Sequence, residues 1–220
     1  MIQGVVFDLD GLMFDTEDLF HRVLVEMLAA RGKPYTEEIG RAMIGRRAEE
    51  AALDFKRLSG LDEPIEELMA EARSRFYAEM DTAVHPTPGL FSLLDHLEAC
   101  KIPRGVATSS RRSYAELLLK RHGLFDHFGF LLSAEDVSRG KPDPQIYQKA
   151  VECFGLPASS VLALEDSAAG VASAKGAGTF CVGVPHDHSP AEGLRGADLI
   201  VPRLDDSRLL AILEPRHDHD

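Results

Sequence analysis

No lysine- or arginine-rich run occurs in this chain, and its net charge at pH 7 is -12. That balance argues against nucleic acid or an anionic membrane as a partner. A small anionic substrate still fits wherever positive charge is gathered locally. No apolar run approaches the ~18 residues that a bilayer span requires. The N-terminus carries no basic stretch leading into an apolar one, so no signal peptide is expected. The three cysteines, Cys100, Cys153 and Cys181, lie far apart without a CxxC pair. They read as buried thiols in a reducing compartment, not as a disulfide frame or zinc knot. Internal repeats and low-complexity tracts are also missing. These absences lead to the expectation of a soluble cytoplasmic protein, taken as a monomer.

What is present is ordinary for a globular chain: 45% apolar and 27% charged residues. At 220 residues there is room for one large domain or for a domain with a smaller insert. Residues 2–8 (IQGVVFD) read as a first strand. From Glu17 to Arg31, apolar residues at 19, 20, 23, 24, 27 and 28 keep helical spacing, and Gly32 supplies a stop. Helices are expected again over 47–58 and 65–81, with no convincing strand between about 17 and 82. At HPTPGL (85–90) the texture changes. Helices over 90–100, 111–122, 144–154 and 168–177 then alternate with short strands at 104–108, 128–133, 160–165, 179–184 and 197–201. Such alternation predicts a parallel sheet covered on both faces. The expected architecture is a doubly wound, Rossmann-like α/β core from residues 1–15 and 83–220. An all-helical domain, residues 16–82, is inserted after the first strand.

Ligands of such sheets bind beyond the carboxyl ends of the strands, and four strand ends draw notice. VVFDLDG (5–11) ends in Asp8 and Asp10, two carboxylates that repel unless a cation or shared proton relieves them. A hard divalent ion such as Mg²⁺ suits them, with Asp8 as nucleophile and Asp10 as proton donor. A strand-end turn with Asp as a cap explains the same residues. Thr108, Ser109 and Ser110 close the next strand and open a helix, which makes either an anion site or a plain N-cap. In GKPDP (140–144), Asp143 and Pro144 suit a helix start, which leaves Lys141 as a charge for phosphate or for Asp8, or as an exposed loop lysine. The motif lacks the rest of a P-loop, so a nucleoside-triphosphatase is rejected. Glu165 and Asp166 in LALEDSAAG (162–170) form a second acidic pair, with Ser167 able to cap the helix that follows. A cap plus a solvated acid is the competing reading.

Together and in this order, the four motifs resemble those of the haloacid dehalogenase superfamily of aspartate-nucleophile phosphotransferases, over residues 5 to about 184. GLMFDTE and EDSAAG point within it to the β-phosphoglucomutase-like phosphatases, whose helical cap the insert matches. The resemblance implies that Asp8 attacks phosphorus and Asp10 protonates the alkoxide, then activates water. It implies Mg²⁺ on Asp8, the Asp10 carbonyl and Asp166, with Glu165 close by or acting through water. Thr108 and Lys141 would hold phosphoryl oxygens. A small phosphorylated metabolite is the expected partner, contacted also by Gly11, Thr16, Ser109, Ser110 and a cap arginine. Arg47 is the first choice for that arginine, with Arg46, Arg73 and Arg75 as further candidates.

The sugar mutases of this branch carry a cap histidine where this chain has Phe20, and His21 falls one position later, on a different helical face. The mutase loop also ends in a Ser-Arg pair, whereas GRRAE puts Arg47 and Ala48 there. Both departures favour a phosphatase acting on sugar phosphates or nucleoside monophosphates over a sugar phosphomutase. A noncatalytic phosphate-binding scaffold ranks below both because all four motifs are intact.

Overall fold

The computed structural model describes residues 1–43 and 48–214. Six parallel strands form one sheet in the order β3-β2-β1-β4-β5-β6. They are β1 (Gly4–Phe7), β2 (Arg104–Ala107), β3 (Leu131–Leu132), β4 (Val161–Glu165), β5 (Phe180–Gly183) and β6 (Leu199–Ile200). This is the doubly wound order in which the chain starts at the centre and reverses direction between β1 and β4. The central strands are buried end to end, as a sheet covered on both faces requires. Their side chains alternate between two cores. Val5, Phe7, Leu162 and Leu164 join the larger cluster, while Val6, Val161, Ala163 and Cys181 join the smaller one on the other face.

Four helices fill the insert: α1 (Thr16–Ala29), α2 (Glu37–Met43), α3 (Ala48–Ser59) and α4 (Ile65–Ala83). No strand occurs there among the described residues. The helix expected at 47–58 is α3, and α2 is an additional element. It was illegible because it is short, contains Gly40 and buries only Ile39. The core helices are α5 (Leu90–Ala99), α6 (Arg112–Arg121), α7 (Gln145–Phe154), α8 (Ala168–Gly176) and α9 (Ser207–Leu213). The last of these was not anticipated.

The strand expected over 128–133 shortens to β3. At this sheet edge, Phe128 leaves to pack edge-on against Phe7 at 5.6 Å, and Phe130 packs against Phe154 at 4.9 Å. Phe130 also lies over Gly105, where a Cβ would collide with its ring. The three thiols are all free, but only Cys181 is buried; Cys100 is half-buried and Cys153 exposed. The expectation of three buried thiols fails because α7 turns Cys153 to solvent and packs Ile146, Tyr147 and Ala150 inward. No helix among the described residues is long and apolar enough to cross a membrane.

Candidate active site

Register brings the acids together. Phe7 pairs with Leu164 on one side and with Val106 on the other. Asp8 and Glu165, the residues that follow on β1 and β4, therefore emerge at one height, and Thr108 lies one residue further along, just past the end of β2. The Asp8 N–H donates to the Leu164 carbonyl at 3.0 Å, which extends the ladder one residue beyond β1.

Lys141 arrives from the segment before α7 and lies almost wholly buried between two acids. Its Nζ is 2.5 Å from Asp8 Oδ1 and 2.6 Å from Glu165 Oε1, and it donates to the Ala107 carbonyl at 3.2 Å. Asp143 Oδ1 accepts from the Gln145 N–H at 3.1 Å, so the Asp-Pro pair does start α7, one residue later than expected. Burial pulls the Lys141 ammonium down, but the Asp8 and Glu165 carboxylates together hold it above its ordinary value. It stays charged. Asp8 and Asp166 are raised well above the usual carboxylate range, chiefly because burial penalises their charge.

Oxygens of Asp8, Glu165 and Asp166 lie within 4.8 Å of one another. Three buried carboxylates against one ammonium leave the cluster short of positive charge, and an all-oxygen donor set fits a hard divalent ion such as Mg²⁺. The three acids are not equivalent. Glu165 Oε1 takes Lys141 and the Tyr147 hydroxyl, and its Oε2 takes Ser167 Oγ at 3.3 Å. Glu165 thereby orients Lys141, and it stands with Asp8 and Asp166 in the group that could hold an ion. The Asp10 side chain is not a member of this cluster.

Asp10 is held apart by hydroxyls. Its Oδ1 accepts from Tyr114 at 2.8 Å, and its Oδ2 accepts from Ser110 at 2.7 Å and from Thr108 at 3.5 Å. Tyr114 is in turn pushed well above its ordinary pKa by burial, with the Asp10 charge adding to the shift. One cavity of about 860 Å³ is lined by Asp8, Asp10, Thr108, Lys141 and Asp166 on the core side. Thr16 Oγ1 and Ser109 Oγ are buried without hydrogen-bond partners, and both residues line this cavity. Two orphaned hydroxyls beside the acids are the kind of vacancy a polar ligand satisfies.

Gly11, expected as a substrate contact, turns the chain beside Asp166. Its N–H donates to the Phe14 carbonyl at 2.8 Å, and at φ +79° a Cβ would strike the Asp166 carboxylate. What it supplies is space beside Asp166. Ser167 caps α8 as expected, with its Oγ accepting from the Gly170 N–H at 3.0 Å. Among the cap arginines, Arg73 lines the cavity. Arg75 is paired with Glu71 at 2.9 Å and with Glu26 at 3.6 Å. Arg46 and Arg47 lie outside the described residues, as does the HDHD tail.

The segment HDHSPAEG (186–193) also folds onto the site. His186 Nε2 sits 2.9 Å from Asp166 Oδ2, Ser189 Oγ donates to the Asp166 carbonyl, and His188 Nε2 reaches Asp18 of α1 at 2.6 Å. The available signal was its position just after β5, on the same carboxyl edge as the other four motifs. His21, assigned to a different helical face, also lines the cavity, 4.7 Å edge-on from Tyr35 and 5.3 Å from His188. Tyr114 and Tyr147 were missed altogether, because a tyrosine inside an amphipathic helix carries no local sign of what its hydroxyl reaches.

Comparison with known proteins now decides the family. A sequence model described as haloacid dehalogenase-like hydrolase matches residues 5–184. The chain belongs to this family. A validoxylamine A 7'-phosphate phosphatase from Streptomyces hygroscopicus subsp. limoneus is 36% identical, over 94% of this chain and 97% of that protein. A β-phosphoglucomutase from Bacillus subtilis is 29% identical, over 94% and 92%. The crystal structure of CbbY from Rhodobacter sphaeroides in complex with phosphate superposes with a TM-score of 0.81 at 28% identity, covering 94% of this chain and 96% of that one. This haloacid dehalogenase-like chain is a phosphoric monoester hydrolase of the β-phosphoglucomutase-like branch.

Proposed function

We propose that this hydrolase releases phosphate from small phosphomonoesters, a sugar phosphate or a nucleoside monophosphate, through an aspartyl-phosphate on Asp8. The observation that carries the reading is the buried Asp8–Lys141–Glu165 chain, which opens on the same cavity as Asp10 and Asp166. Mg²⁺ bound by Asp8 and Asp166, with the Asp10 carbonyl, would supply the positive charge the cluster lacks. Glu165 serves by holding Lys141.

Asp8 forms a bond to phosphorus as the bond from phosphorus to the ester oxygen breaks, and Asp10 gives its proton to the departing alkoxide. Asp10 then takes a proton from a water molecule, whose oxygen attacks the phosphorus and frees Asp8. Lys141 and Thr108, with the buried hydroxyls of Ser109 and Thr16 beside them, hold phosphoryl oxygens and spread their charge. The hydroxyls on both Asp10 oxygens keep that acid from swinging toward Asp8. Helices α1–α4 act as a cap that excludes bulk water.

Phosphate release from a panel of such esters, with and without Mg²⁺, tests this. Asp8→Asn is expected to lower release by at least ~10⁴-fold; Mg²⁺-independent release, or release that survives the substitution, refutes it. His21 at the cavity gives a second reading, a sugar phosphomutase, some footing. Conversion of β-glucose 1-phosphate to glucose 6-phosphate without free phosphate would select it.

A further inference from the structure

We infer that the leaving group of the substrate carries an aromatic ring, seated against a wall of rings that begins at Asp10. The inference rests on the phosphatase reading and narrows its substrate class. The alkoxide oxygen departs on the Asp10 side, so whatever surrounds Asp10 is what the leaving group meets. Asp10 is hydrogen-bonded to Tyr114 of α6. From Tyr114 the rings continue without a break: edge-on to Phe76 at 5.9 Å and to Tyr77 at 6.4 Å, both on α4, and from Phe76 to Phe20 of α1 at 5.2 Å. Three elements, one in the core and two in the insert, thus build one aromatic face along the cavity.

That face is incompletely covered. Phe20 is 42% exposed and Tyr77 38% exposed, although both border the cavity. Large rings left bare inside a concavity, and not scattered over the outer surface, mark a binding site. The volume of about 860 Å³ far exceeds what a phosphoryl group fills. A polyol chain laid along this wall would turn its hydroxyls toward ring faces and leave them unsatisfied, which selects against it. An aryl group would stack edge-on or offset, as the wall's own rings do. Phe20 fits the same logic, because it stands where the sugar mutases have a histidine.

The test compares two series of primary-alkyl phosphates whose leaving groups have similar basicity: phenylalkyl phosphates with one to three methylenes, and glycerol 3-phosphate with erythritol 4-phosphate. The expected result is kcat/KM higher for the aryl series on the order of 100-fold, mostly through KM. Phe20→Asn and Tyr77→Asn, both at exposed positions, are each expected to narrow that ratio by at least ~5-fold, and Phe20→Leu to restore part of it. Equal or reversed preference, with Asp8-dependent phosphate release still present, overturns the inference and leaves the phosphatase standing. Absence of Asp8-dependent release from either series and from acetyl phosphate overturns both.

Discussion

Replacing Lys141 by methionine keeps the length of the side chain and removes the one cation that touches the acid cluster among the described residues. The pair distances of 2.5 and 2.6 Å and the near-complete burial of all three partners make this a buried ion triad. Removing one member of such a group costs about 3–5 kcal/mol, because the remaining charges keep their desolvation penalty without compensation. For a chain of this size that corresponds to a fall in Tm of roughly 6–20 °C.

The deficit should depend on pH with a definite sign. Asp8 and Asp166 already titrate above the usual range, and Lys141 lowers both. Its loss raises them further. A carboxyl group raised on folding contributes stability that is complete below its unfolded value, near 4, and disappears as pH rises through the folded value. Lys141→Met should therefore be most destabilised relative to the parent near pH 8 and least near pH 5. Urea unfolding of the Mg²⁺-free proteins at both values measures this. A deficit below about 1 kcal/mol at pH 8, or the same deficit at both pH values, would refute the reasoning.

Glu17, half-buried at the cavity, is pushed up to about 7 by burial, with the Asp166 and Asp10 charges adding to the shift. By the same sign rule Glu17→Gln should stabilise the Mg²⁺-free protein by on the order of 2 kcal/mol at pH 8 and very little at pH 5, read from the same unfolding curves. Asp166→Asn is expected to raise the Mg²⁺ needed for half-maximal turnover by at least ~10-fold. It should also raise the metal-free Tm by a few degrees, since a buried like charge is removed; an unchanged Mg²⁺ requirement would discount Asp166 as a ligand. Gly170→Ala places a Cβ onto the Glu165 carboxylate. It should cost about 1–3 kcal/mol and displace Lys141, whereas Gly193→Ala, whose Cβ meets only Ala168 at 4.0 Å, should be nearly silent in the same melting experiment.

The four motifs lay at strand ends in the sequence because a parallel sheet buries both faces of its strands. Such strands are written as short continuous apolar runs, and polar residues appear only where a strand leaves the sheet. That drew notice to Asp8, Thr108 and the Glu165–Asp166 pair, and the alternation implied a doubly wound core; Lys141, in the loop before α7, and the roles of all of them became readable only from the four motifs taken together. The helical insert was readable for the same kind of reason, since Leu19 to Leu28 and Ile65 to Met80 repeat at the helical period. What only tertiary structure decided were the partnerships across the chain. Tyr114 holds Asp10 over a separation of 104 residues, Tyr147 holds Glu165, and the loop at His186–Ser189 folds back onto Asp166. Glu165, one of the acids that could hold a metal, also takes Lys141 in the fold. Hydrogen bonds of this kind depend on where the sheet register and the helix packing deliver a side chain, and neither leaves a periodic trace in the sequence.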